Sequence, residues 1–523
     1  MPLLGPALAA TALLLTSAAG TAPLPALSAR ERAGRTIYHE GKSPSGGAIN
    51  AQVGGTTLSA EMVTCVGCHG DDGRGRPEGG VTPTPIVWSE LTRPYGRELP
   101  SGRRHPAYDD RTAARALTDG VDAGGTALEA VMPRYSMSRV DMESLVAYLK
   151  RLGNEPVPGV GPGELRLGTV LPEKGPFAEL GRAIRGVLEA WVAEANVSGG
   201  IHGRKLVLQV GGYDPAREGG LEAARKLLAR GDLLALVSGF TPAVEPELAD
   251  LAEKEGVPLV GPFTPWPAGE AQARPKVFYL LGGPREHARV LAAHAVKESG
   301  PAGVPAVVLH VAEPRHAEAA RAGAERLRAG GWTRVELVPF ELGRLDAEAV
   351  AGLQARGAEV VLYIGEDPDL SSFFRWANAK DFAPRVLASG ALTARAALAA
   401  PAAFQGRVVL AMTSAPAAET VAGREALARA TQRAGVGDGH HAARASAWAT
   451  ALVLGEGLRR AGRGLSRERL ISSLEALYAF ETGLTPPISY GSVRRIGARG
   501  AWLVAADVEA QAFRPLGEWT EAE

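Results

Sequence analysis

Cysteine is almost absent from this chain: 523 residues hold two, Cys65 and Cys68. Exported proteins often carry disulfides; if another chemistry uses this pair, none can form. Excess charge of either sign is absent as well. Fifty-seven basic residues balance 57 acidic ones, which gives no reason to expect nucleic acid or a charged membrane surface as a partner. No low-complexity or collagen-like tract occurs. After the first residues no apolar run is long enough for a transmembrane helix. What remains, at 46% hydrophobic and 22% charged residues, is a soluble globular chain. Its length implies three or four compact units.

The N-terminal stretch has an apolar core from Ala7 to Leu15, followed by small residues and proline. It is too short to span a bilayer comfortably and is read as a signal peptide, residues 1–29, for export to the periplasm. It lacks the usual Lys or Arg ahead of the core; retained, it would be an apolar N-terminal helix and an anchor.

Both cysteines lie in "TCVGCHG", with His69 directly behind Cys68. Three chemistries use such a pair. A thioredoxin-like dithiol would open a helix after a buried strand, and "GGTTLSAEMV" ahead of it is not a convincing strand. A structural zinc site needs four ligands, and scattered histidines such as His39 and His105 lack ligand spacing. Covalent haem attachment uses all three residues: thioethers from Cys65 and Cys68, with His69 under the iron. One short helical turn sets both sulfurs and the imidazole around one macrocycle edge. The expected cofactor is therefore one covalently bound haem c.

The flanks agree. "ARERAGRTIYHEG" (29–41) predicts a helix with Gly34 and Tyr38 on one side. "SRVDMESLVAYLKRLG" (138–153) predicts another, capped by Ser138 and Asp141 and stopped by Gly153. Between them "VMPRYSMS" offers a distal ligand. Pro133 favours an extended loop, from which Met132, in preference to Met137, can aim its thioether at iron. The ordinary alternative is a core methionine. Arg74, Arg76 and Trp88 could lie near the haem propionates, or be loop residues. "RELPSGRRHPAYDD" could dock a redox partner, or be a solvated charged loop.

This block, residues 30–153, resembles the class I c-type cytochromes. The resemblance rests on Gly34, Tyr38, Cys65, Cys68, His69, Met132, Pro133, Tyr148 and Leu149. It implies a small all-α domain around one haem with His/Met coordination, transferring one electron at a time. Such coordination leaves no open iron position, so catalysis on a bound molecule is not expected.

"NEPVPGVGPG" (154–163) reads as a short, semi-stiff linker. No further Cys-X-X-Cys-His follows, so a second covalent haem is not expected. From 164 strands alternate with helices: "ELRLGTVLP", "RKLVLQVGGYD", "LLALVSG", "PAVVLHVAE" and "AEVVLYIGE" are strands. This predicts parallel sheets with helices on both faces, and the length predicts two lobes. Ligands in such folds bind beyond the carboxyl ends of the strands, here in a cleft between lobes.

The second domain, residues 164–523, resembles the type I periplasmic substrate-binding proteins, in the branch of the leucine/isoleucine/valine-binding proteins, through most of 164–515 and more weakly after about 400. "NVSGGIHGRKL" (196–206), Asp214-Pro215 and Gly256-Val257-Pro258 carry the likeness most specifically. It implies an α/β domain of two lobes, crossed by the chain more than once, closing on a small molecule. It also implies ligand contacts from Ser238 and Thr241 in "VSGFTP" and from Gly261 and Thr264 in "VGPFTP", through hydroxyls and backbone amides that suit an anion. The bland reading of these hydroxyls is helix capping. On the opposite lobe His316 and Ala317 stand where the amino-acid binders tend to have Tyr-Gly, and Glu366 or Asp367 could face the cleft. An amino acid is then doubtful as ligand, whereas Phe240, Phe263 and Trp266 suit an apolar or aromatic molecule.

Two functions follow. One is a periplasmic electron carrier, served by a dehydrogenase or oxidase, whose second module binds a small molecule. The other is a solute receptor for an ABC permease with an accessory haem. An enzyme is not expected, because no acid/base or nucleophile set is evident.

Overall fold

A computed structural model describes residues 27–75, 83–98, 102–153, 157–216, 219–242, 244–268, 274–300 and 303–522. The core of the expected signal peptide and Arg76 lie outside these residues. The chain divides into two compact units, 1–156 and 157–523. No helix among the described residues is long and apolar enough to cross a membrane.

In the first unit, Ser28 and Glu31 form a reciprocal capping box that starts the helix Ala29–Glu40, and Gly41 ends it at φ +68°. Gly34, Ile37 and Tyr38 face inward. The closing helix, Arg139–Leu149, is capped by Ser138, whose Oγ accepts from the Asp141 amide at 3.1 Å. It stops four residues short of the predicted Gly153. The two helices cross at Gly34, where a Cβ would sit 2.0 Å from the Ser144 carbonyl oxygen, so only glycine allows the approach. Tyr38 reaches on and donates to the Gly70 carbonyl at 2.6 Å, tying the crossing to the Cys-X-X-Cys-His segment.

The helical fold carries an addition the sequence did not announce. Asn50–Val53 and Thr56–Ser59 form a hairpin, and Arg134–Ser136 pairs antiparallel with the first of them. Thr56–Ser59 falls within the stretch read as an unconvincing strand; it is a strand, but a mostly exposed one. A further helix, Asp110–Thr118, starts from a capping box of Asp109 and Thr112.

The second unit begins before the expected linker ends. The Gly159 carbonyl accepts from the Arg166 amide at 2.8 Å, and a Cβ on Gly159 would clash with the Leu234 backbone. One lobe has six parallel strands in the order Ile496–Ala498, Val277–Leu281, Leu259–Val260, Ala235–Val237, Glu164–Pro172, Lys205–Tyr213. In the other lobe Val335–Phe340, Ala306–Val311, Val360–Ile364, Arg385–Ser389 and Val408–Met412 run parallel. Gly500–Asp507 then adds antiparallel, paired in turn by Ala512–Pro515 and Thr520–Glu521. The chain passes between lobes three times: after Leu281, after Met412 and after Ala498. On the second passage, helices Val421–Ala434, His441–Ala461 and Arg467–Glu475 rejoin the first lobe, burying Leu427, Trp448, Leu454 and Leu474 in one core with Leu165 and Leu167. The predicted strands are all present. The late return of the helices and the antiparallel edge were not foreseen.

Candidate functional site

Cys65–His69 is a single helical turn, closed by Gly70. Cys65 is buried and Cys68 is exposed. Burial pushes the Cys65 thiol up to about 11. His69 is 7% exposed, and its Nδ1–H donates to the Thr84 carbonyl at 3.1 Å. That bond fixes the tautomer, leaving the lone pair on Nε2, and burial lowers the ring's pKa. A neutral imidazole oriented through its other nitrogen is the form that binds a metal. Val63, Val66, Ile86, Trp88, Met132 and Met137 are only partly buried and pack on the same core as Cys65. The two thiols, the neutral imidazole and this half-open apolar margin fit a haem.

The competing chemistries fit less well. An attacking dithiol needs a lowered thiol pKa, the opposite of the setting of Cys65. Among the described residues no group of three His, Cys, Asp or Glu is placed to hold a metal ion. His39 sits 3.1 Å from the Tyr148 hydroxyl, and His105 donates to the Pro106 carbonyl at 2.8 Å.

Met132 and Met137 both reach the Cys65 cluster. Met132 lies in the loop before Pro133, its amide donating to the Glu129 carbonyl at 3.1 Å. Met137 follows the strand Arg134–Ser136. Trp88 packs on the cluster with Lys150 5.3 Å over its ring, while Arg74 pairs with Asp72. The basic stretch near 97–110 is not an open patch in its described part. Arg97 pairs with Glu90 at 2.9 Å, Arg104 with Glu98 at 2.8 Å, and Arg103 with the buried Asp122 at 2.9 Å.

In the second unit a cavity of about 370 Å³ opens between the lobes. Thr241, Phe263, Thr264 and Trp266 line it from one side, and Arg285 and Glu366 from the other. Of the six predicted contacts, Thr241, Thr264 and Glu366 are brought together there. Thr241 is 2% exposed, and its hydroxyl has no partner among the described residues. Thr264 Oγ accepts from the Trp266 amide at 3.1 Å.

Ser238, Gly261 and His316 do not line the cavity. Ser238 is buried at φ +47°, strained for a side-chain-bearing residue, and its amide donates to Val260 at 3.0 Å. Gly261 also spends its amide inside the fold, on the Phe278 carbonyl at 2.7 Å. It is glycine because its φ is +59° and a Cβ would sit 2.2 Å from Thr450 Oγ1. The sheet thus claims both amides expected to face an anion. His316 is 1% exposed beneath Trp266, ring centroids 4.5 Å apart, with Nδ1 3.3 Å from Glu313 and Nε2 3.7 Å from Glu366. Asp367 turns away, accepting from Arg395 and from the Ala396 amide, both at 2.9 Å.

Sequence reasoning missed Glu245 and Arg285. Glu245 is 5% exposed and accepts from the Tyr279 hydroxyl at 2.8 Å; burial pushes it up to about 7. Its signal was position: it opens the helix Glu245–Lys254 that follows the strand Ala235–Val237, the strand end where ligands bind. Arg285 faces the cavity held only loosely, 3.5 Å from Glu286 and 3.8 Å from Glu318.

Comparison with known proteins separates the same two blocks. Residues 164–511 match the family described as periplasmic binding protein, and residues 53–153 match cytochrome c. A Leu/Ile/Val-binding protein homolog of Brucella melitensis is 29% identical over 204 residues, 39% of this chain. The chain spans 54% of that relative's length. Among solved structures, a fatty acid ABC transporter substrate-binding protein from Thermomonospora curvata superposes with TM-score 0.54 at 18% identity. It covers 71% of this chain and 95% of its own. A branched-chain amino acid ABC transporter protein from Thermus thermophilus, with bound valine, gives TM-score 0.51 at 16% identity, covering 69% and 97%. At such identities these structures establish the fold alone.

Proposed function

We propose, from the premise that the chain belongs to the periplasmic binding protein family through residues 164–511 and carries a cytochrome c domain ahead of it, that it is an exported haem c electron carrier whose second unit binds a small molecule. The observation that carries the reading is His69: a buried imidazole with Nδ1 committed to the Thr84 carbonyl, in the same helical turn as two cysteines. Cys65 and Cys68 would hold one haem covalently, and His69, through Nε2, and Met132 would be the ligands of its iron. A haem so bound supplies a one-electron couple, and a Met ligand raises its potential. Tyr38 and Tyr135 keep the attachment segment in place, donating to the Gly70 and Val63 carbonyls, each at 2.6 Å. The electron's source or destination is a periplasmic dehydrogenase or oxidase.

The interlobe cavity supports the binding half. Phe240, Phe263 and Trp266 suit an apolar or aromatic body, and Thr241, Arg285 and Glu366 offer a polar end. The similar structure from Thermomonospora curvata is a fatty acid ABC transporter substrate-binding protein and that from Thermus thermophilus holds valine; acids with apolar bodies are the first ligands to try.

A receptor handing solute to an ABC permease is the second reading. It is favoured by the curated relative, a Leu/Ile/Val-binding protein homolog. One experiment separates the two: visible spectra and midpoint potential of the holoprotein, with and without a ligand found by thermal shift. A covalent His/Met haem whose potential moves on ligand binding supports coupled electron transfer. A potential that ignores a bound ligand favours the receptor. No covalent haem overturns the first reading.

A further inference from the structure

The stretch from Val121 to Pro133 contains no helix or strand beyond one isolated bridge, Val121 with Ala127. A ligand on such a loop stays on iron only if something else fixes the loop. Pro133 has no amide hydrogen to give. The fixing group comes one residue later. Arg134 opens a strand and pairs with Gln52, but its guanidinium folds back over the loop it follows. It donates to the Met132 carbonyl, to the Leu128 carbonyl at 2.9 Å, and to the Glu129 carbonyl at 3.4 Å.

A second observation shows that this seat is built. Gly120 has φ +67°, and a Cβ there would lie 1.6 Å from Arg134 Nε. The Gly120 carbonyl accepts from the Leu128 amide at 2.7 Å, closing the loop around the same guanidinium. Among the described residues no carboxylate pairs with Arg134, so its charge is spent on carbonyl dipoles. Hydrogen bonds from an ionised donor are the stronger kind, and the planar fork serves several acceptors that a lysine cannot match.

We propose that Arg134 is the positioning residue of the distal methionine: it locks residues 128–132 so that Met132 keeps its place on the haem, and its positive charge beside that ligand favours the reduced state. The proposal rests on Met132 as the ligand and deepens that reading. Geometry and charge then separate by substitution. Arg134→Gln removes both, whereas Arg134→Lys keeps the charge and loses the fork.

The test uses the full-length holoprotein and three readouts: the near-infrared Met-to-iron band, the midpoint potential, and the rate at which imidazole displaces the distal ligand of the oxidised protein. In Arg134→Gln the band weakens, the potential falls, and imidazole enters at least about tenfold faster, the order expected for losing a hydrogen bond from a charged donor. Arg134→Lys holds the potential near that of the wild type while imidazole still enters faster. Gly120→Ala, which pushes the guanidinium from its seat, repeats the fast entry; it and Arg134→Lys carry the test if Arg134→Gln takes up no haem. Wild-type values for all three readouts in these variants overturn the proposal. Met132→Ala and Met137→Ala locate any error. A band lost only in Met132→Ala, with Arg134 variants unchanged, refutes the role of Arg134 alone. A band that survives Met132→Ala and disappears in Met137→Ala refutes the ligand assignment, and Arg134 falls with it.

Discussion

Tyr38, His69, Tyr135 and Arg134 each give a hydrogen to a loop carbonyl of the first unit. Thr169, Ser238, Thr241 and Thr450 of the second unit do the opposite. Their hydroxyls are buried and have no partner among the described residues. Thr241 and Phe263 line the interlobe cavity, and Ser238 and Thr450 lie on or against the same two strand-end turns. A site built to be permanent gains from satisfying its hydroxyl donors within its own chain. A protein that must take up and release a ligand gains from keeping donors in hand, at a cost in stability that each unpaired buried group imposes. The contrast is the one expected between the permanent site and the exchangeable site proposed above.

The hardest blow to the comparison is to empty the first site. Cys65→Ala with Cys68→Ala should abolish haem retained after denaturation and leave ligand-induced thermal shifts of the second unit unchanged; haem staining and calorimetry check it. Next in size, Gly34→Val drives a side chain into the Ser144 carbonyl. It should cost more than about 3 kcal/mol, as overpacking without room to relax does. The melting transition of the first unit should then drop or vanish while that of the second stays.

Glu245 tests the second unit through pH. Its carboxyl is raised from 4.5 to about 7 by burial. Between those values the folded protein holds a proton that the unfolded chain has lost, so stability falls as pH rises through the window. Glu245→Gln can still accept from the Tyr279 hydroxyl and removes this slope. Its gain over wild type should be near zero at pH 4.5 and grow to at most about 3 kcal/mol above pH 7. Equal gains at pH 5 and pH 8 in denaturant titrations would refute it. His287, buried and pushed down to about 4, adds a slope of opposite sign below pH 6.5, common to both proteins and cancelling in the difference.

The smallest effects are the most pointed, because they should differ in sign. Tyr135→Phe removes a donor from the Val63 carbonyl and should destabilise the first unit by about 1 kcal/mol. Thr241→Val replaces a partnerless buried hydroxyl by a methyl of similar shape. It should stabilise the ligand-free second unit by up to about 1 kcal/mol and weaken ligand binding. Equal signs in the two unfolding measurements would end the contrast.

Legibility in the sequence followed locality. Cys65, Cys68 and His69 are adjacent, so their chemistry could be read without the fold. The Ser138 cap and the strands of the second unit show within short windows and were equally visible. The hairpin 50–59 was not, because its second strand is exposed on nearly every residue and shows no alternation. Gly261 was misjudged because its constraint, Thr450, comes from a helix far along the chain. His316 was placed in the cleft because nothing local reveals that Trp266 covers it. Arg134 looked like any loop arginine, since three carbonyl acceptors leave no mark in the sequence.

The triple passage between lobes orders assembly in time. The helices and strands of the first unit all lie within residues 29–149 and are paired or packed with one another, so it can finish folding while synthesis continues. The first lobe cannot: its edge strand, Ile496–Ala498, pairs with Tyr279 and Leu281, and the helices that fill its core come just before. Until those last segments arrive, a sheet with an open edge and an unfilled face must be kept from its neighbours. A ribosome stalled or a message truncated near residue 415 would therefore yield a finished first unit tethered to an adhesive, protease-sensitive half-lobe.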